Sequence, residues 1–386
     1  MRNPAPDLNS GEQSEARDLA EASRAELIAN VLIPLIVGGA LFMQTLDTTV
    51  IATALPVIAH DMYEDPIRLN LAITSYLLSL AVFIPISGWA ADRYGARTVF
   101  RAAIMVFTIG SIFCGFSNSL PELIGARVLQ GCGGAMMVPV GRLIVLKTVP
   151  KSGLVQAMSL LTIPAVMGPV VGPPLGGFIV TYGSWRWIFF INVPIGLIGI
   201  VLVTLFIDNL RSVDVSPLDL RGFLLTGFGL AGMLFSFEAV GRGLVPGSIV
   251  MSVMAGGGLC LGLYVFHSRR IAYPIVDLSM AQIPTFAAAV LGGGLFRMGM
   301  GALPFLLAML LQLVFGLSPF ASGLFTFTSA AGALIIKFII APIIRRFGFR
   351  SVLIYNGLIS ATIMASYSLF RPWTPYSLII FALLIG

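Results

Sequence analysis

The chain has 386 residues, of which 57% are hydrophobic and only 10% charged, with a formal charge of +6. Soluble domains carry about 25% charged residues, so this composition excludes a water-covered globule and requires lipid as solvent. In that setting the basic excess belongs to loops on one side of a membrane and excludes nucleic acid as a partner.

Residues 1–26 are polar and mixed in charge, as in "EQSEARDLAEASRAE". They lack the apolar core and cleavage site of a signal peptide and read as a cytoplasmic arm. Spans of about 20 apolar residues cross a bilayer. Such runs follow near 30–56, 68–90, 98–117, 121–147, 153–181 and 187–207. Others lie near 221–241, 248–267, 284–313, 317–343 and 350–370. A twelfth run starts at Tyr376 and reaches Gly386, a stretch of roughly 16 Å as helix against a bilayer core of about 30 Å. The pattern predicts an all-α polytopic membrane protein, incomplete at its C-terminus. Its expected parts are an arm (1–29), a six-helix bundle (30–207), two inserted helices with their loops (208–281) and an incomplete second bundle (282–386).

The loops set the orientation. Arg93, Arg97, Arg101, Lys147, Lys151, Arg211, Arg221, Arg269, Arg270, Arg345, Arg346 and Arg350 flank the even loops, whereas the odd loops hold Arg68, Arg186, Arg242 and Arg371. This bias puts the N-terminus and the even loops in the cytoplasm.

The phrase "DRYGAR" (92–97) returns, worn, as "RRFGFR" (345–350). Weak internal similarity of this kind marks a repeat architecture. Six spans would separate the copies in a plain six-plus-six repeat. Eight do, so 221–241 and 248–267 read as an insertion between two six-helix halves.

Several further motifs stand in order. They are "LDTTVIATALP" with Asp47, Thr49, Ala54 and Pro56, "GWAADRYGARTVF" with Gly88, Asp92, Arg93, Gly95 and Arg97, and "RVLQGCGGA" with Arg127, Gln130 and Gly131. "GPVVGPPLGG" follows with Gly168, Gly172, Pro173, Gly176 and Gly177, then "SWRWIFFINVPIG". Together they resemble the major facilitator superfamily, and within it the fourteen-helix drug:proton antiporter branch. The resemblance implies a proton-coupling role for Arg127, a gating role for the 88–97 loop and an antiporter role for the 168–177 helix. Two positions depart from that pattern. Ala52 stands where the branch usually carries Asn, and Arg345 stands where an acid equivalent to Asp92 is expected.

The buried polar groups carry the remaining inference. Asp47 lies in an apolar span, where a charge costs roughly 2.5–3.5 kcal/mol on insertion scales. It reads either as a proton or cation site on a cavity, or as a packing acid held by Thr48, Thr49 or a neighbouring helix. Arg127 needs an acid or carbonyl partner, or must snorkel to the interface, and the pair is expected to interact across a cavity. Asp92 has Arg93, Arg97 or a helix N-terminus of the other half as possible partners. Small residues at 168, 172 and 176 let another helix approach closely, in a helix expected to bend. Arg297 is expected to be a buried cavity charge, and Lys337 to snorkel; Glu238 sits in the insertion without an implied role. "GFGLAG" (227–232) lies inside a span with no preceding strand and is not a nucleotide loop. Cys114, Cys132 and Cys260 have no metal or disulfide spacing.

The expected function is proton-coupled export of amphipathic, cationic drugs or toxic compounds across a bacterial cytoplasmic membrane by alternating access, with outer-membrane export partners unknown. The alternatives are the same fold serving one metabolite or siderophore, and a truncated non-transporting remnant. No cofactor, metal or enzymatic chemistry is indicated.

Overall fold

The computed structural model describes residues 27–386 except 210, 212–214, 241–244 and 318. The arm up to residue 26, and with it most of the expected cytoplasmic segment, lies outside the described residues. All regular structure among the described residues is helical. Nine of these helices are long and apolar enough to cross a membrane, and the chain is a multi-pass membrane protein. Helices suit such a sequence because they satisfy every backbone donor and acceptor internally, in a solvent that supplies none.

The first bundle contains α1 (Ile33–Asp61), α2 (Leu71–Phe83), α3 (Ser87–Tyr94), α4 (Ala96–Phe116), α5 (Leu120–Thr148) and α6 (Leu154–Tyr182). It closes with the short α7 (Trp187–Phe190) and α8 (Asn192–Phe206). A 3₁₀ turn over Ile84–Ile86 joins α2 to α3, so the two make one span interrupted at Pro85. Helix α1 packs on α6 and α8, α5 packs on α2 and α4, and α4 packs on α8. The inserted pair, α9 (Leu220–Ala239) and α10 (Gly247–Ser268), packs on itself and on α2. Four helices follow: α11 (Pro284–Met309), α12 (Pro319–Phe347), α13 (Phe349–Ser366) and α14 (Tyr376–Ile385). Helix α12 touches α6 and α14.

Glycine explains the closest crossings. A side chain at Gly168 would collide with Thr45 and the backbone of Leu46, and one at Gly172 with Thr49. The small residues of α6 therefore let α1 lie against it, as their four-residue spacing predicts. Gly177 faces open space, and the side chain of Pro173 lies outside the described ones. Gly176 is buried. Despite its prolines α6 runs as one uninterrupted helix from Leu154 to Tyr182. "GFGLAG" acts in the same way: Gly229 and Gly232 meet Gly257 of α10 at backbone contact distance. Its glycines serve helix packing.

The first bundle buries two apolar clusters. One gathers Val37, Phe100, Phe107, Val140 and Ile144 toward the Lys/Arg-rich end. The other gathers Val50, Ile58, Leu69, Leu123 and Phe189 toward the opposite end. The second half buries less, through a small cluster around Leu311, Tyr367 and Leu383. Arg297 illustrates the difference. It was expected to be a buried charge, yet its side chain is exposed on α11. The reason is packing: α11 meets chiefly α12 and the short turns at its own ends.

The two copies of the charged phrase share one backbone device. Gly95 has φ +90° between α3 and α4, and Gly348 has φ +76° between α12 and α13. Each turns one helix directly into the next through a conformation that L-residues avoid. Replacing Gly348 by Ala is expected to cost about 1–3 kcal/mol from backbone strain alone, because open space surrounds it. Gly95→Ala should cost more, since its new methyl would strike the Asn209 side chain. Thermal unfolding of both variants in detergent checks the order.

Candidate functional site

Asp47 lies fourteen residues from either end of α1, about 21 Å along the helix. The helix continues past Pro56 to Asp61. The carboxylate is buried between the two apolar clusters, and every described partner it meets is polar.

Arg127 Nη1 donates to Asp47 Oδ2 at 2.6 Å, with the two side chains 0% and 1% exposed. Arg127 neither snorkels nor acts across a cavity; the pair is in direct contact. Gln130 Nε2 donates to Asp47 Oδ1 at 2.8 Å, and Asn192 Nδ2 to the same oxygen at 3.0 Å. Thr48 and Thr49 do not hold the acid. Their hydroxyls donate to carbonyls one turn back, and Thr49 also to Gly168 of α6. Gln130 returns its carbonyl to Arg127 Nη1 at 2.6 Å and donates to Ser111 Oγ at 2.7 Å. Asn192 donates to Ser111 at 3.3 Å. Arg127 Nε donates to the Ala72 carbonyl at 3.2 Å, and its guanidinium stacks 4.3 Å from the Tyr76 ring. Five spans thus meet in one network: α1, α2, α4, α5 and α8.

The local sequence explains this convergence. Arg127 and Gln130 are three residues apart on α5, so they share a face. Gly131 lets α5 approach the Tyr76 backbone and the Ser79 side chain on α2, Gly133 lets it approach Ala103 and Phe107 on α4, and Gly110 of α4 touches the backbone of Gln130. Charge-assisted bonds in a dry interior are strong. Arg127 Nη2 and Asn192 Oδ1 have no hydrogen-bond partner among the described residues. A buried polar atom without a partner costs about 1–3 kcal/mol, so the network keeps capacity to re-pair.

The sequence reading singled out Asp47, Arg127 and Gln130. It missed Ser111, Tyr76 and Asn192 as members of the network. Asn192 had a legible signal, a lone amide opening the apolar run "NVPIGLIGIVLVTLF". Ser111 and Tyr76 had none, because such residues are ordinary in membrane helices.

The charged loop of α3 and α4 sits apart from this network. Asp92 pairs with Lys147 of α5 at 3.3 Å in a half-exposed bridge; the expectation had named Arg93, Arg97 or the other half. Arg97 Nη1 donates to the Ile207 carbonyl, Thr98 N donates to Asn209, and Trp89 Nε1 donates to the Ser216 carbonyl. These contacts bind the loop to the segment that leads into the inserted pair. Gly88 faces open space and Arg93 is exposed. The side chain of Lys337 lies outside the described ones.

At the opposite end, Asp61 accepts from Trp185 Nε1 at 2.7 Å and from Arg186 Nη1 at 3.2 Å. Arg186 also reaches the Ser117 carbonyl and Asn118, and stacks 4.4 Å from Trp185. The indole bond of Trp185 holds the Asp61 carboxyl below the usual range; burial opposes it, and Arg186 adds to the lowering. A second staple closes the Lys/Arg-rich end of the inserted pair. Asp219 accepts from the Gly222 and Ile275 amides and bonds His267 at 2.8 Å. Burial pulls its carboxyl upward, but His267 and the two amides outweigh that and hold it low.

A fully buried ion pair inside a helical membrane bundle is costly and marks a functional site. The comparisons give the family: residues 37–386 match the Major Facilitator Superfamily, and the chain belongs to it. It is 42% identical over 324 residues to a protein of Salmonella paratyphi A named "Putative multidrug resistance protein MdtD", covering 84% of this chain and 68% of the relative. The protein of the same name from Salmonella typhimurium matches at 42% over the same length and shares. Among solved structures, the proton:xylose symporter XylE bound to 6-bromo-6-deoxy-D-glucose superposes with TM-score 0.58 and 14% identity, over 94% of this chain and 78% of that one. The human organic anion transporter MFSD10 superposes with TM-score 0.54 and 16% identity, over 91% of this chain and 82% of that one. Both share the fold. The chain is therefore a transporter and not an enzyme.

Two outcomes test the geometry. Asp47→Ala leaves a buried unpaired guanidinium and should lose about 3–5 kcal/mol, more than the double Asp47→Ala/Arg127→Leu variant, which removes both charges. Thermal unfolding in detergent compares them. Asp61 has a folded-state value below its unfolded one, so its contribution is present above the ordinary carboxylate range and is lost as pH falls through the folded value. The unfolding-temperature gap between the native chain and Asp61→Asn should therefore hold at neutral pH and close in strong acid.

Proposed function

We propose that this chain is a proton-coupled exporter of amphipathic, cationic compounds across a bacterial cytoplasmic membrane. The carrying observation is the buried Asp47–Arg127 pair with its Gln130 and Asn192 donors. An acid at mid-membrane is costly and marks a proton or ion path. The relatives named for multidrug resistance support the substrate class.

In this reading the Lys/Arg-rich end and the N-terminus are cytoplasmic. The six-helix bundle of 30–207 and the bundle of 282–386 rock about a central cavity, with the inserted pair of 208–281 riding on α2. Asp47 takes a proton from the outer side and gives it up on the inner side. As a carboxylate it holds Arg127 and accepts from Gln130 and Asn192. Protonation removes its charge, weakens those three bonds and frees Arg127 to re-pair. A cationic substrate binding near the carboxylate favours loss of the proton, which gives exchange.

The gating residues are Gly88, Asp92, Arg93, Gly95 and Arg97, with Lys147 as the observed partner of Asp92. The antiporter helix contributes Gly168, Gly172, Pro173, Gly176 and Gly177, of which Gly168 and Gly172 seat α6 directly against the turns of α1 flanking Asp47. Substrate is held mainly by apolar area, which permits a broad range.

Proteoliposomes with an imposed proton gradient and a fluorescent lipophilic cation test this. The native chain should drive gradient-dependent dye movement, and Asp47→Asn should reduce it to background while leaving the protein folded. Adding the dye to the detergent-solubilised native chain should release protons, and adding it to Asp47→Asn should not. Gradient-dependent movement that survives Asp47→Asn unchanged would sink the assignment. Competition by one metabolite alone would narrow the substrate class to that compound.

A further inference from the structure

The inserted helix α9 lies antiparallel along α2. Phe223 meets Phe83 at 6.0 Å near the Lys/Arg-rich end, and Gly227 faces Val82. At the opposite end α9 presents Glu238, an acid one residue from the end of an apolar span. Its half-buried carboxylate accepts from Asn70 Nδ2 and from Thr74 Oγ1, each at 3.3 Å.

Those two donors belong to the turn of α2 that also holds Arg127. The Ala72 carbonyl accepts from Arg127 Nε, and the Tyr76 ring stacks on the guanidinium. Residues 70–76 are thus gripped from two sides, by an acid of the inserted pair and by the cation of the central network. We propose that Glu238 is a second proton-binding carboxylate, a positioning residue whose ionisation sets how firmly the inserted pair holds this turn of α2. The proposal rests on the proton-coupled reading above.

The chemistry needs only one proton. Charged, Glu238 accepts charge-assisted bonds, which are about twice as strong as neutral ones. A proton from water on that side converts it to the neutral acid, and the grip on Asn70 and Thr74 weakens. Loss of the proton to the same water restores it. Few other groups compete for this role. On α2 the titratable neighbour is Tyr76, which is committed to the Arg127 face. On α10 the residues at this end, from Gly247 to Gly258, carry none. Before α2, Glu64 is half-buried, Asp65 and Arg68 are exposed, and Arg242 lies outside the described residues.

The test uses the full chain in proteoliposomes, with native, Glu238→Gln, Glu238→Asp and Asp47→Asn proteins of matched unfolding temperature. Gln keeps an oxygen that can accept from Asn70 and Thr74 but cannot be ionised. Infrared difference spectra across external pH should show a titrating carboxylic-acid band that Glu238→Gln removes and Asp47→Asn retains. Lipophilic-cation movement against external pH should show its midpoint displaced by about tenfold in proton concentration in Glu238→Gln, and restored in Glu238→Asp. A Glu238→Gln spectrum retaining every titrating band, or a pH profile unchanged from native, would overturn the proposal and leave Glu238 as a hydrogen-bond acceptor only. If the native chain moves no cation, the transport reading fails by itself. The infrared titration then still decides whether Glu238 takes the proton, and a missing band overturns that.

Discussion

A carboxylate and a guanidinium sealed at the middle of a membrane bundle constrain everything packed around them. Neither can be left alone in a medium without water. Asp47 therefore demands donors from α5 and α8, and Arg127 demands a carbonyl and a ring from α2. Those demands fix which helices meet at this level. The apolar clusters above and below then exclude water from the layer. Glycines 110, 131 and 133 are needed because the donors reach the acid only if the helix backbones nearly touch.

The same layer is suited to change state. The bonds to Asp47 depend on its charge, and Arg127 and Asn192 each retain an unused polar atom. The inserted pair is fastened to the first bundle along α2, and its entry segment is bound at Trp89, Arg97 and Thr98.

The repeated phrase gives a second view of the architecture. Both copies keep a glycine at positive φ between two helices, although the acid of the first is an arginine in the second. The two copies share the backbone requirement and differ in the side chain. The turn makes two spans adjacent, whereas Asp92 serves a local bridge to Lys147.

Much of this was legible beforehand. Lipid as solvent follows from a chain with so little charge, and span positions follow from runs of apolar residues, because the bilayer imposes a length. The closeness of Gly168 and Gly172 to a neighbouring helix follows from residue size and spacing. Asp47 and Arg127 stood out because their burial cost is large wherever they pack. What only the tertiary structure decided is partnership. Eighty residues separate Asp47 from Arg127 and 164 separate Thr74 from Glu238, and no local rule links positions so distant. Nor could the sequence show that Arg297 is exposed, since exposure depends on which helices cover α11. Hydropathy reports the solvent that a residue prefers; its partner is set by how the helices cross.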